Sequence, residues 1–243
     1  MKEVSIFPVG EQALSICFGN KPDKEINDQV FSLYNHLRRQ ADPFWKDLIP
    51  AYCTLTVVYD LKLVRSHSAC AFTYVKNSME QALEKCIDDE GLTFRKLLIP
   101  VCYESAFGLD LPALAKSNRI SVDEIIERHT APTYRVYMLG FLPGFPYMGM
   151  VPDAIAAPRL ATPRRTVSAG SVGIAGNQTG IYPMDSPGGW NIIGRTPVKL
   201  FDVHAKQPVL FQPGDEVTFY PITQEAFDAF DAFDARSFNP ISA

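Results

Sequence analysis

Arg135-Val136-Tyr137-Met138-Leu139-Gly140-Phe141-Leu142-Pro143-Gly144-Phe145-Pro146-Tyr147-Met148-Gly149 marks the point where helical periodicity stops in this chain. The segment it introduces, 137–201, carries ten of the 15 glycines and eight of the 19 prolines. Short apolar runs such as Arg135–Leu139 and Val198–Phe201 alternate there with turn signals, the pattern of a β-barrel or sandwich with long loops. Val209–Tyr220 continues it around a Pro213-Gly214-Asp215 turn. Glycines permit unusual backbone angles and prolines freeze the turns between them, a rigidity that a mere connection does not need. Gly140–Gly149 therefore reads as a pre-organised ligand or partner loop presenting Phe141, Phe145 and Tyr147.

Two further pieces follow. Pro163–Pro183 (PRRTVSAGSVGIAGNQTGIYP) spaces Gly170, Gly173 and Gly176 by three, so that backbone can approach backbone or a ligand. Gln178, Thr179 and Tyr182 supply neutral donors and acceptors, and Arg164 can fork onto a carboxylate or phosphate. Ser186–Pro197 (SPGGWNIIGRTP) adds Trp190, which reads as core or site, with Asn191 and Arg195 beside glycines.

Charge sharpens this picture. The chain carries a net −4, yet 137–201 is locally +3, while 1–136 is −2 and 202–243 is −5. A basic segment in an acidic protein argues against general nucleic-acid binding and for a carboxylate, a phosphate or an acidic partner. No apolar run reaches the ~20 residues of a membrane span, and the N-terminus lacks a secretory pattern. The five cysteines are odd in number and form no CxxC, so reduced thiols in the cytoplasm are expected.

Upstream, Val4–Val9 and Gln12–Phe18 read as strands around Gly10. A helix begins at Asp23 with Ile26, Val30, Leu33 and Leu37 on one face. Tyr52–Tyr59 and Phe94–Val101 read as strands. Between them a second helix carries Phe72, Val75, Met79, Leu83 and Cys86 and ends near Gly91. Two helices among four strands suggest a split βαβ, ferredoxin-like unit. Asp110–Lys116 reads as a short helix. Val122–His129 follows, with Ser121 and Glu124 forming a capping box and Ile120 and Ile125 at the staple positions. Phe227, Phe230 and Phe233 recur at spacing three in a Phe-Asp-Ala repeat, one face of an acidic terminal helix or a tail.

Several chemistries lack a signature. His36, His67, His129 and His204 are widely spaced without HExxH or HxH, so no metal site is expected. Gly173–Gly180 lacks the Lys-Ser/Thr ending of a Walker A loop, and no GxSxG occurs.

Val136–Gly149, Pro158-Arg159-Leu160, Pro163-Arg164, Ala169–Pro183 and Ser186–Pro197 together resemble the KipI/PxpB family. That family comprises the B subunit of prokaryotic ATP-dependent 5-oxoprolinase, the kinase inhibitor KipI and the allophanate hydrolase subunit 1 domain. His129 and Tyr134 also match the approach to the first motif. The resemblance implies an α+β protein. A small N-terminal ferredoxin-like α/β-sandwich domain, 1–97, would precede a C-terminal cyclophilin-like β-barrel, 98–222, and an acidic Phe-repeat helix or tail, 223–243. It implies an ATP-dependent 5-oxoprolinase subunit, working with a C subunit and an A subunit to convert 5-oxo-L-proline, ATP and water to L-glutamate, ADP and phosphate. The ATP site is not placed on this chain, and no catalytic group is assigned. The residues expected to contact substrate or partner are His129, Tyr137, Phe141, Phe145, Tyr147, Arg159, Arg164, Gln178, Thr179, Tyr182, Trp190, Asn191 and Arg195. The alternative is a KipI-like regulator gripping a sensor histidine kinase. An exposed patch of Phe141, Phe145 and Tyr147 would favour that partner, and a pocket would favour a small molecule. Prolyl isomerisation rests on fold analogy alone.

Overall fold

Hydrogen-bonded strands close on themselves into a barrel in a computed structural model that describes residues 4–21, 23–86 and 94–230. By contacts the chain divides into two units, Met1–Thr93 and Phe94–Ala243.

In the first unit β1 (Ser5–Pro8) and β2 (Ala13–Cys17) form a hairpin, and α1 (Lys24–Gln40) follows. Asp23 caps α1 by accepting from the Glu25 and Ile26 amides, and Ala41 ends it in the left-handed conformation. Next come β3 (Trp45–Pro50), β4 (Thr54–Tyr59), the short α2 (Leu61–Arg65) and α3 (Ala71–Cys86). The sheet order is β1-β2-β4-β3, antiparallel throughout. Leu14, Ile16, Leu55 and Val57 pack with Val30, Leu33 and Leu37 of α1 and Val75 and Met79 of α3.

β2 and β3 both run antiparallel to β4 and are joined through α1, so a split βαβ is present. The ferredoxin-like expectation needs correcting in its strand list. Trp45–Pro50, WKDLIP, takes a place in this sheet that its mixed charged pattern did not announce. The edge beside β2 is filled from the N-terminus by β1. The strand around Phe94–Val101 belongs to the second unit. Gly91 and Phe233 lie outside the described residues.

The second unit starts with β5 (Lys96–Cys102), α4 (Leu111–Asn118) and α5 (Val122–Thr130). Ser121 caps α5 through the Glu124 amide, as its sequence predicts. β6 (Thr133–Leu139), β7 (Pro146–Gly149), a single 3-10 turn, β8 (Arg164–Val167), β9 (Ser171–Ala175), β10 (Gln178–Ile181), β11 (Ser186–Gly188), β12 (Asn191–Arg195), β13 (Glu216–Ile222) and the short α6 (Gln224–Asp228) complete it. Seven strands close a barrel in the order β10-β7-β6-β13-β5-β12-β9, while β8 and β11 form a separate ribbon. Only β13 and β5 pair in parallel among these strands.

Side chains alternate across the barrel wall. Met148, Val172, Ile174, Ile181 and Ile193 point into the main core, together with Leu111, Leu114 and Ile125 of α4 and α5. Between them on the outer face stand Gly149, Gly173 and Gly180, and each is approached by an aromatic residue. A Cβ at Gly180 would lie 3.0 Å from Phe145 Cζ and 2.9 Å from the Pro146 oxygen. One at Gly173 would meet Trp190 Cβ at 3.1 Å, and one at Gly149 would meet Tyr137 Cε2 at 3.4 Å. Phe145, Val167, Ala175, Tyr182, Trp190 and Ile192 form a second apolar layer outside the barrel.

Inside, one polar chain crosses the core. Tyr103 Oη lies 2.8 Å from His129 Nδ1, and His129 Nε2 lies 3.0 Å from Thr179 Oγ1. Thr179 donates onward to the Gly173 carbonyl at 3.1 Å. That last bond orders the protons: Thr179 accepts from Nε2–H, and Nδ1 accepts from Tyr103. Tyr134 donates to the His129 carbonyl, and Phe219 stacks on the imidazole at 4.7 Å. Burial pushes His129 down to about 3 and raises the Tyr103 and Tyr134 phenols. No described helix is long and apolar enough to cross a membrane.

Two outcomes are expected. Gly180→Ala should lower the unfolding free energy by about 1–3 kcal/mol in urea titration, because backbone and the Phe145 ring both stand in the way. Gly140→Ala, whose Cβ would meet its nearest atom only at 3.5 Å, should change it by about 0.5 kcal/mol or less. Unfolded His129 takes a proton near pH 6.5 and the folded imidazole only near 3, so its contribution is complete above 6.5 and is lost as pH falls through that window. Stability should fall there by about 1.4 kcal/mol per pH unit, and His129→Gln should remove that slope.

Candidate functional site

The outer apolar layer is the centre of the candidate site. Phe145 is its hub, 1% exposed, with ring centroids at 4.9 Å from Tyr147, 5.3 Å from Tyr182 and 5.4 Å from Trp190. Tyr147 and Trp190 meet each other at 6.0 Å. The loop that delivers Phe145 is tied by Gly140 N–H to the Phe145 carbonyl and by Phe145 N–H to the Leu142 carbonyl. Gly144 sits at φ 81° and Phe141 at φ 69°, a conformation that glycine adopts freely and phenylalanine does not. Phe141 is 63% exposed, and its ring meets Phe145 edge-on at 5.7 Å. The three loop aromatics thus separate into a buried hub, a half-buried Tyr147 and an exposed Phe141, not one flat patch.

Two arginines border this layer. Arg164 begins β8, opposite Gly188 of β11, and Gly188 abuts the Tyr182 hydroxyl closely enough to leave no room for a Cβ. Arg159 is exposed on the loop before β8. Asn191 pins that loop by donating to the Pro158 carbonyl at 2.9 Å, and it also donates to the Ile174 carbonyl at 3.1 Å. The Leu160 amide bonds the Gly189 carbonyl at 2.7 Å. Burial raises the Tyr182 phenol, opposed by a bond from the Trp190 backbone and by the positive charge of Arg159 and Arg164. The result is a neutral hydroxyl beside two cations on an aromatic floor.

The structure thus brings together Phe145, Tyr147, Arg159, Arg164, Tyr182, Trp190 and Asn191. It puts others elsewhere. His129 and Thr179 are sealed inside the barrel, each 0% exposed. Gln178 alternates with Thr179 and faces outward, half-buried, opposite Gly149. Tyr137 is buried against Gly149. Arg195 lies four residues along β12 from Asn191, about 13 Å away. It donates to the Ala169 carbonyl at 2.8 Å and lies over Phe227 at 5.8 Å. Phe227 in turn packs on Phe107 at 4.5 Å.

One residue of this site is marked in the sequence only as the start of a short helix. Asp110 makes no capping bond at α4; its carboxylate holds Arg164 and the Ile192 amide. No local pattern marks that role, because its partners lie 54 and 82 positions away. Among the described residues no group of three His, Cys, Asp or Glu could hold a metal. The Gly173–Gly180 segment is a β-hairpin whose backbone pairs within the barrel, not a loop opening a helix as a phosphate cradle requires.

Comparisons with known proteins agree with this architecture. Residues 4–211 match the carboxyltransferase domain, subdomain C and D. The 5-oxoprolinase B subunit of Bacillus subtilis is 41% identical over 91% of this chain and 94% of its own. That of Haemophilus influenzae is 52% identical over 89% of this chain and 97% of its own. The crystal structure of TTHA0988 superposes with a TM-score of 0.75 at 34% identity, covering 87% of this chain. This chain spans only 40% of that longer protein. With matches that run nearly end to end in both directions, the chain belongs to the carboxyltransferase subdomain C and D family, among the 5-oxoprolinase B subunits.

Proposed function

We propose that this protein is the B subunit of an ATP-dependent 5-oxoprolinase, a cytoplasmic complex that opens the lactam of 5-oxo-L-proline to L-glutamate. The complex consumes ATP and two waters, one across the lactam C–N bond and one in forming ADP and phosphate. Partner A and C subunits complete the reaction, and this chain is inactive alone. The observation that carries the reading is the half-buried Tyr147, backed by the buried Phe145 and Trp190, with Arg159, Arg164 and the Tyr182 hydroxyl bordering the same layer. A five-membered lactam can lay its flat apolar face on the half-buried Tyr147, which the buried Phe145 and Trp190 back. Its carboxylate suits the cations, and its amide suits a neutral hydroxyl. The near full-length matches to proteins named as 5-oxoprolinase B subunits support 5-oxo-L-proline as the substrate. The five cysteines, none of them in a disulfide, suit a reducing compartment.

The kinase-inhibitor reading calls for a broad exposed aromatic surface. Phe145 at 1% exposure and a half-buried Tyr147 do not make one, and Phe141 alone of the three loop aromatics is exposed.

Co-purification with A and C subunits, followed by an assay with and without 5-oxo-L-proline, tests the proposal. ADP and glutamate should appear in equal amounts, and only when the lactam is present. Tyr147→Ala should lower kcat/KM about tenfold, on the scale of a lost ring contact. Lactam-independent ATP hydrolysis, or none in the complete complex, would sink the reading.

A further inference from the structure

Asp110 is an acid buried to 8% exposure, and both its carboxylate oxygens are spent. Oδ1 accepts from Arg164 Nη2 at 2.6 Å, and Oδ2 accepts from the Ile192 amide at 2.6 Å. The Asp110 amide also donates to the Ile192 carbonyl at 2.8 Å, so main chain and side chain fasten it to β12 together. Gly108 makes the approach possible, since a Cβ there would lie 2.9 Å from the Ile193 carbonyl. The other end of the pair is different. Arg164 Nη1 is buried without a hydrogen-bond partner among the described residues, while the side chain as a whole stays 28% exposed.

An arginine with one arm clamped and the other unsatisfied is a fork set for a second planar anion. A buried donor left without a bond is destabilised, and a bound oxygen relieves it. The Asp110 contact neutralises much of the Arg164 charge, so geometry more than net charge drives this binding. The exposed Arg159 adds the attraction.

We propose that Asp110 is a positioning residue that aims Arg164 at the substrate's carboxylate, making the pair the element that selects a carboxylated lactam over a bare one. This rests on the reading of the aromatic–arginine layer as the lactam site. Asp110 touches no substrate; it acts through Arg164.

The test uses the reconstituted complex, with 5-oxo-L-proline as substrate and 2-pyrrolidinone, the same ring without the carboxylate, as competitive inhibitor. Asp110→Asn should raise KM for 5-oxo-L-proline about tenfold or more. It should leave kcat within about threefold and the inhibition constant of 2-pyrrolidinone unchanged. In an Arg164→Ala background Asp110→Asn should add nothing, because the two residues act as one unit. If Asp110→Asn does not fold, Arg164→Lys, which keeps charge and loses the fork, should show the same split. A loss of kcat for the substrate together with weaker 2-pyrrolidinone binding would mark a merely structural role and overturn the proposal. So would an additive effect in the Arg164→Ala background. Failure of the wild-type complex to turn over 5-oxo-L-proline would instead remove the lactam reading itself, and the proposal with it.

Discussion

The aromatic layer outside the barrel depends on one steric fact: the outer face of β7, β9 and β10 is glycine where aromatic residues pack against it. Gly149, Gly173 and Gly180 leave shallow depressions that Tyr137, Trp190 and Phe145 fill at contact distance. A methyl group at Gly180 would collide with backbone as well as ring, so the aromatic layer could not lie flat. Dense packing tolerates little adjustment of this kind. The glycines that weaken β-propensity are thus offset by ring burial on the same strands.

This arrangement splits the barrel wall into two environments one strand thick. Inward residues hold a dry core that encloses a single ordered polar chain, Tyr103–His129–Thr179, with every proton assigned a partner. The imidazole is neutral and shielded, suited to holding α5 against β10. Outward residues hold the aromatic floor and its cations. Thr179 and Gly180 are adjacent in sequence, yet one braces the core and the other seats Phe145. That is the direct result of side chains alternating across a strand.

The ribbon of β8 and β11 borders the candidate site because it brings Arg164 beside Tyr182, and Asp110, fastened to β12, holds it there. Three chain segments distant in sequence meet at one carboxylate. A buried ion pair of this kind gains little net stability once desolvation is counted, and its value lies in fixing geometry. Arg195 plays a separate part: it binds the Ala169 carbonyl and lies beneath Phe227, at the other end of β12.

Local physics made much of this protein legible from its sequence. The capping box at Ser121, the amphipathic faces of α1 and α3, and the density of glycine and proline after Thr133 all report on neighbours a few residues away. So the elements, the change to β structure and the motif loops could be read directly. Phe145, Tyr147, Arg159, Arg164, Tyr182, Trp190 and Asn191 were legible as a group because they lie inside those loops. Pairing and facing were not legible. WKDLIP lacks the β-branched alternation of a strand and becomes one because β4 offers it an edge. The strand at Lys96 reads like any other, and only its parallel register with β13 assigns it to the barrel. The split of Gln178 from Thr179 follows from alternation across β10, and that of Asn191 from Arg195 from their distance along β12. Asp110 owes its role to partners brought together by that closure. Sequence by itself determined which segments are helix, strand and loop and which carry the polar and aromatic groups, because those are short-range preferences. Only the tertiary structure decided which of those groups share a surface, because that depends on register and barrel closure, which join residues far apart in the chain.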